Sequence, residues 1–351
     1  MPDLPIARLA VVGLGMATKP HLDALADLDG RVAVSGVYNR SRARAEAVGA
    51  GFGHRVFDSL EAIAADPDTD GIILATPPNA REDIVRMMAG AGKHVLTEKP
   101  VERTLAAATR IVEICEAAEV RLGVVFQHRF RAGARRLREL ADAGALGELA
   151  LVRAAIPWWR DQGYYDVAGR GSYARDGGGA LISQAIHALD LMLSVTGPAR
   201  TVQAMTATTR LHRMEAEDFA AAGVAFASGA VGSIVATTAT FPGEPESLVI
   251  DGTEGTARLQ GGRLSVVWRD GREEAVGEAS GAGGGADPMA FPCDWHRDLI
   301  DDFARAVAEG REPAITGREA LRVQALIDAI TRSAAEGRVV EVTREPGPAS
   351  V

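Results

Sequence analysis

Two side chains able to carry a proton stand out in this chain, one an amine and one an imidazole. Lysine occurs only at positions 19, 93 and 99 while arginine is plentiful, so a lysine where a guanidinium would serve equally as a charge is informative. Only an ammonium readily loses its proton. Lys99 lies in Glu98-Lys99-Pro100, directly after the short apolar run 94–97; burial or a nearby positive charge would lower its pKa toward acid–base work. The imidazole, His187, stands in Gly177-Gly178-Gly179-Ala180-Leu181-Ile182-Ser183-Gln184-Ala185-Ile186-His187-Ala188-Leu189-Asp190. Ser183 and His187 are one helical turn apart and share a face, behind three glycines that leave the backbone free to bend against a ligand. Taken singly, Lys99 also reads as a surface lysine paired with Glu98, and His187 as a satisfied histidine of an apolar helix.

The chain opens with an apolar strand at 9–12, the turn Gly13-Leu14-Gly15-Met16-Ala17-Thr18 and a helix at 20–28. A pyrophosphate needs this order: Gly13 permits the tight turn, Gly15 removes a Cβ from the phosphates' path, and the free N–H groups of the first helical turn face the anion. Thr18 stands where a third glycine is preferred, and the spacing alone also fits an ordinary turn. At the end of the second strand, Tyr38-Asn39-Arg40-Ser41-Arg42 offers no carboxylate for a ribose 2′-hydroxyl. Two guanidiniums flanking a hydroxyl suit a 2′-phosphate, so the expected cofactor is NADP in preference to NAD. The alternative is that Arg40 and Arg42 are solvated at a helix start and Asn39 bonds a ribose without discriminating. The expected cofactor contacts are Gly13, Leu14, Gly15, Met16, Ala17, Asn39, Arg40, Ser41 and Arg42, then Ala75, Thr76, Pro77, Asn79, Glu98, Lys99 and Gln127. The charge of an oxidised nicotinamide would lower the Lys99 pKa further.

The elements that must position these groups fall into two patterns. Strands at 32–38, 71–75, 94–97 and 122–125 alternate with helices at 42–48, 80–91 and 105–118, which predicts a doubly wound parallel sheet of Rossmann type over residues 1–125. From 126 to 351 the pattern predicts an α+β domain with a mainly antiparallel, open-faced sheet. Its strands are expected at 149–156, 201–209, 220–226, 232–240, 247–250, 257–260 and 264–268, between turn signals such as Ser228-Gly229 and Asp270-Gly271. Helices at 134–143, 181–195 and 295–309 follow from apolar spacing, and a last one from the Thr316 to Glu319 capping box and Gly337. The glycine-rich stretch 280–287 reads as a loop. One sheet face would stay uncovered and serve as a dimer surface.

A net charge of −9 argues against a nucleic-acid surface. Cys115 and Cys293 are far apart in no metal-like spacing, so they read as reduced, buried thiols, and no metal is expected. No apolar run reaches the roughly 18 residues of a membrane span, and the N-terminus lacks a basic leader, so the chain is expected in the cytoplasm.

With these pieces in place the chain resembles the Gfo/Idh/MocA family of nicotinamide-dependent oxidoreductases, which act mostly on sugars, inositols and sugar derivatives. The resemblance runs nearly end to end. It covers the glycine turn with His21 after it, Ala75-Thr76-Pro77-Pro78, Gly92-Lys93-His94-Val95 running into Glu98-Lys99-Pro100, the 177–190 segment, Asp302-Phe303 and Gly310-Arg311-Glu312-Pro313. It implies that Lys99 and His187 flank the reacting carbon, that the position of Ser183 touches a substrate hydroxyl, that Lys99-Pro100 is often cis, and that the second sheet makes dimers or tetramers. Four departures stand out: Thr18 for glycine, Asn39 and Arg40 for the acidic ribose ligand, Ala80 for a frequent nearby histidine, and Ser183 for an aspartate or asparagine.

Residues Pro157-Trp158-Trp159-Arg160-Asp161-Gln162-Gly163-Tyr164-Tyr165 and Arg170-Gly171-Ser172-Tyr173 look like the segment of members related to nucleotide-sugar 3-dehydrogenases, where an arginine and paired tyrosines line the pocket. Aromatic faces stack on sugars or bases, and Arg160 could hold a carboxylate or phosphate. Alternatively the tryptophans cover the sheet and Arg160 pairs with Asp161. The expected substrate contacts are Lys99, Arg129, Trp158, Arg160, Tyr165, Ser183, Gln184 and His187, with His128 a further candidate. The reading is hydride transfer between a nicotinamide and a secondary alcohol carbon of a sugar-like substrate. Its rivals are a silent cofactor sensor, since this architecture also serves a galactose-pathway transcriptional co-repressor, and a reductase of a non-sugar carbonyl or imine.

Overall fold

Five short strands, β1 (Ala7–Val12), β2 (Val32–Tyr38), β3 (Gly71–Leu74), β4 (His94–Thr97) and β5 (Leu122–Val124), pair in parallel in the order β2-β1-β3-β4-β5. They are nearly continuous apolar runs because helices lie on both faces of such a sheet; every residue of β3 is buried. The order reverses between β1 and β3, and ligands of open α/β sheets bind at the carboxyl ends of strands at such a reversal. The computed structural model describes residues 7–279 and 292–343, so the expected loop at 280–287 lies outside the described residues.

By its contacts the chain forms two units, Met1–Gln127 with Pro292–Ala320, and His128–Phe291 with Leu321–Val351. The sequence pattern divides the chain once, near 125; the contacts return 292–320 to the first unit. The helix Asp294–Glu309 explains the return, since it packs against β1 and the helix Thr18–Asp27 with Leu299, Ile300 and Phe303 buried. A boundary read along the chain cannot show a segment that comes back. The capping box is formed reciprocally: the Glu319 amide donates to Thr316 Oγ1 at 3.2 Å and the Thr316 amide to the Glu319 carboxylate at 3.4 Å.

Among the described residues the second unit holds nine strands: β6 (Leu149–Pro157), β7 (Ala199–Ala207), β8 (Phe219–Phe226), β9 (Val231–Thr237), β10 (Ser247–Gly252), β11 (Gly255–Gln260), β12 (Arg263–Trp268), β13 (Glu273–Val276) and β14 (Val340–Glu341). Their order is β13-β12-β11-β10-β6-β9-β8-β7-β14, antiparallel throughout except for the parallel pair β6 and β9. The pattern missed β13, half of it glutamate, and β14, two residues long. Helices Ala132–Asp142 and Ile186–Thr196 cover one face. On the other, Met205, Ala221 and Val235 stand in register across β7, β8 and β9, and Leu151 opposes Val231, with the valines, Leu151 and Met205 exposed. Cys115 is buried, whereas Cys293 is only half-buried. Among the described residues no helix is long and apolar enough to cross a membrane.

Candidate active-site elements

Gly13 sits where β1 ends against β3. Its φ is +91°, and a Cβ there would lie 2.8 Å from the Ala75 carbonyl carbon, so only glycine fits. Its amide donates to the Tyr38 carbonyl (2.9 Å), and the Ala75 amide to that of Val12 (2.8 Å), which ties three strand ends into one edge. At Gly15 a Cβ would meet nothing within 4 Å, leaving the backbone open to an approaching group. The helix Thr18–Asp27 starts at Ala17 with no side-chain cap and no acid in its first turn. Its leading amides therefore suit an anion. Thr18, the departure from glycine, is buried and donates its hydroxyl to the Gly13 carbonyl at 2.9 Å, closing the turn with a hydrogen bond instead.

Asn39 fastens that turn to the next: its Oδ1 accepts from the Leu14 amide (3.2 Å) and its Nδ2 donates to the Ser41 carbonyl (3.3 Å). Two of the expected phosphate contacts have other work. Ser41 caps the helix Arg42–Phe52, and Arg42 pairs with Glu46 and Asp58. Arg40 is exposed, as are Met16, Pro77 and Asn79, and the Arg44 Nε donates to the Leu14 carbonyl. Thr76 Oγ1 and Gln127 Oε1 are buried and have no protein partner among the described residues. An orphaned hydroxyl beside the glycine turn, at Thr76, and an uncapped helix fit a dinucleotide, as does an orphaned amide oxygen just past β5, at Gln127.

Lys99 is half-buried just past β4, and its bond to Pro100 is cis. The Glu98 carboxylate accepts from the Lys99 amide (3.1 Å) and lies 2.8 Å from His21 Nε2. Burial pushes the Glu98 carboxyl up, but the hydrogen bond and charge of His21, with Lys99 and His296, outweigh it and hold it at about 2. Sequence reasoning missed Arg81, a fully enclosed guanidinium next to the anomalous Ala80. It donates through Nε and Nη2 to the Thr76 carbonyl (3.0 and 2.7 Å) and through Nη1 to the carbonyls of Glu98 and Pro100. Burial pulls it down to about 10, against the charges of Glu98 and Glu102. Its place is the first position of the helix Arg81–Gly90, directly before Glu82 and Asp83, where the sequence reads as an ordinary exposed ion-pairing turn.

The donor atoms of His21, Glu98 and His296 lie within 4.8 Å of one another, all buried. A direct hydrogen bond joins two of them, His21 and Glu98.

In the second unit the helix expected at 181–195 is broken into a π-turn, Leu181–Ala185, followed by an α-helix, Ile186–Thr196. Such turns are frequent at functional sites. Among the glycines before it, Gly179 is crowded by protein: a Cβ there would stand 1.8 Å from the Glu217 carbonyl oxygen. His187 is buried, its ring stacked on His128 with centroids 4.8 Å apart, and Ser183 is half-buried. Arg129, expected at the substrate, is forked onto Asp190 (2.7 and 2.6 Å) and braces the helix.

Arg160 is buried, with its guanidinium 5.5 Å from the Trp158 ring centre and 5.8 Å from that of Tyr164, while Nη1 donates to the Trp159 carbonyl. Asp161 does not supply the expected pairing for it; that carboxylate accepts from the Tyr164 amide and caps the turn Gln162–Tyr165. Tyr165, expected at the substrate, is buried, and its hydroxyl bonds Thr238 Oγ1 at 2.6 Å. Its neighbour Tyr164 accepts from Gln184 Nε2 (3.0 Å) beneath the Arg170 guanidinium. Trp158 Nε1 and Gln184 Oε1 are buried without a partner among the described residues.

Two family models match the chain, one described as oxidoreductase family, NAD-binding Rossmann fold, over residues 7–126, and one as GFO/IDH/MocA C-terminal domain, over 134–258. D-apiose dehydrogenase of Rhizobium rhizogenes is 27% identical, covering 95% of this chain and 96% of its own. Inositol 2-dehydrogenase of Rhizobium meliloti is 26% identical over 95% and 99%. Among solved structures, the WlbA dehydrogenase from Bordetella pertussis, in complex with NADH and UDP-GlcNAcA, is 31% identical with a TM-score of 0.83, covering 97% of this chain and 99% of that one.

Proposed function

The chain belongs to the Gfo/Idh/MocA family of oxidoreductases, and from that premise we propose that it is an NAD(P)-dependent dehydrogenase of a secondary alcohol on a sugar, inositol or nucleotide sugar. The carrying observation is Lys99, one of three lysines in the chain, set by Glu98 and Arg81 at the carboxyl edge of the parallel sheet. The nicotinamide, when bound, supplies the hydride acceptor in oxidation and the donor in reduction. His187 takes the hydroxyl proton as the carbinol hydrogen leaves with its electron pair, and Lys99 stabilises the developing alkoxide or relays that proton. Reduction runs the same path backwards. Arg160, Trp158, Tyr164, Gln184 and Ser183 form the substrate wall in this reading, with the buried Arg160 suited to a carboxylate or phosphate on the substrate.

Asn39 in place of a carboxylate, with Arg40 beside it, supports NADP over NAD. The uncovered sheet face is the proposed contact between copies of the chain; sedimentation as a monomer would remove it. The test of function is absorbance at the reduced-nicotinamide band with each cofactor against D-apiose, inositols, sugar acids and UDP-GlcNAcA. Turnover is expected on at least one, falling on the order of 100-fold or more in Lys99→Ala while NAD(P)H binding persists. Full turnover in that variant ends the assignment, and a clear NAD preference ends the reading of Asn39 and Arg40.

A further inference from the structure

Two adjacent buried carboxylates, Glu217 and Asp218, lie just before β8 and reach different parts of the second unit. Glu217 holds the start of the π-turn. Its Oε2 accepts from the Gly179 amide (3.1 Å), its Oε1 from the Leu181 amide (3.0 Å), and its carbonyl from the Ala180 amide (2.8 Å). A π-turn leaves unsatisfied amides at its head like any helix, and here one residue answers three of them. The fit admits no side chain at Gly179.

Asp218 holds the other wall. Its Oδ2 lies 2.7 Å from His212 Nδ1, and the opposite nitrogen of that ring is 2.8 Å from the Arg160 carbonyl. Thr209 donates to the same carboxylate through its amide and hydroxyl, each at 2.7 Å. The Asp218 carbonyl accepts from the Thr238 amide (2.9 Å), and the Thr238 carbonyl in turn accepts from the Arg160 amide (2.9 Å). The Arg160 peptide is thus clamped on both sides by groups that trace back to Asp218.

We infer that Glu217 and Asp218 are paired positioning residues, Glu217 setting the helix that carries His187 and Asp218 setting the segment that carries Arg160, so that proton carrier and substrate wall are registered from one point of the chain. This rests on the proposed roles of His187 and Arg160. Because an ångström of misplacement at a reacting group costs about 100-fold in rate while a loosened binding group costs affinity, the two neighbours separate kinetically.

Glu217→Gln puts an NH2 against one of the two amides, and kcat is expected to fall about 10- to 100-fold with KM within about threefold. Asp218→Asn breaks the His212 or Thr209 contact, and KM is expected to rise about tenfold with kcat within about threefold. Independently of turnover, amide hydrogen exchange should quicken at 179–187 in Glu217→Gln alone and at 158–165 in Asp218→Asn alone. Equal kinetic losses in the two variants, or exchange that changes alike in both segments, overturns the inference. His187→Asn, assayed on the same substrate, separates the layers: retained turnover there sinks the proposed function, whereas a dead His187→Asn beside an unaltered Glu217→Gln sinks only the positioning claim. If Asp218→Asn does not fold, His212→Asn carries the same KM expectation; if Glu217→Gln does not, Glu217→Asp, with its shortened reach, carries the kcat one.

Discussion

The rings of His128 and His187 lie stacked, centroids 4.8 Å apart with 26° between their planes. His128 Nε2 is 2.8 Å from an Arg131 nitrogen. A guanidinium only donates, so Nε2 accepts and the His128 proton sits on Nδ1. Arg131 is itself paired with a buried Glu246 carboxylate. The proposed proton carrier therefore leans on a ring held in one tautomer by a neutralised ion pair. His128→Phe keeps the flat face and should leave kcat within about threefold, whereas His128→Ala lets the His187 ring turn and should lower kcat about tenfold. Steady-state rates for the two variants check this, and equal rates would remove the stack from the mechanism.

The two glycines of the opening turn should separate folding from binding. At Gly13 the positive φ and the 2.8 Å approach to Ala75 forbid a side chain, so Gly13→Ala is expected to lose on the order of 2 kcal/mol or more of stability. At Gly15 nothing lies within 4 Å, so Gly15→Ala should melt within about a degree or two of the parent yet bind NAD(P)H at least tenfold more weakly. Melting curves beside titration of cofactor fluorescence read both. Unchanged binding in Gly15→Ala would show that the pyrophosphate does not pass there.

This contrast marks what the sequence made legible. Glycine spacing, the strand carrying Lys99 and the 177–190 segment were readable because each is local: period, turn chemistry and caps act over a few residues. Glu217 and the His212 contact to Arg160 were not, because their partners lie far along the chain, and Arg81 and Asp218 were not, because the loops that bring their nearer partners to them carry no periodic pattern. Glu217 meets Gly179 across 38 positions and His212 meets Arg160 across 52. Tyr164 and Tyr165 are alike in sequence, and only their distant partners, Gln184 for the one and Thr238 for the other, tell them apart. The glycine triplet is legible in the sequence, but the close approach of Glu217 to Gly179 is not.

Arg81 ties the Thr76 carbonyl to those of Glu98 and Pro100. Three backbone acceptors, two of them buried, receive its hydrogen bonds. Arg81→Met should therefore destabilise the chain by about 3 to 5 kcal/mol in denaturant unfolding. Arg81→Lys keeps the charge but not the planar fork, and should fold with reduced stability and at least a tenfold lower kcat through a displaced Lys99. Wild-type kcat in Arg81→Lys would mean that the fork supports folding alone.

His296 sets an acid limit on the first unit. Its ring is buried edge-on to His21, centroids 4.9 Å apart. Burial, then the charge of His21, lowers its pKa to about 3, with Glu98 opposing. In the unfolded chain a histidine titrates near 6.5, so between about pH 6.5 and 3 the unfolded state binds a proton that the native state refuses. Stability from this group is complete above about 6.5 and falls as the pH drops, by at most about 1.4 kcal/mol per unit. Glu98, held at about 2, adds a loss of the same sign, beginning only below the ordinary carboxylate range near 4.5. Unfolding at pH 7 and pH 5 isolates the histidine: His296→Leu should lose about 2 kcal/mol less than the parent across that interval, since every other titrating group is common to both. Equal losses would mean that His296 takes up its proton in the native chain as readily as in the unfolded one.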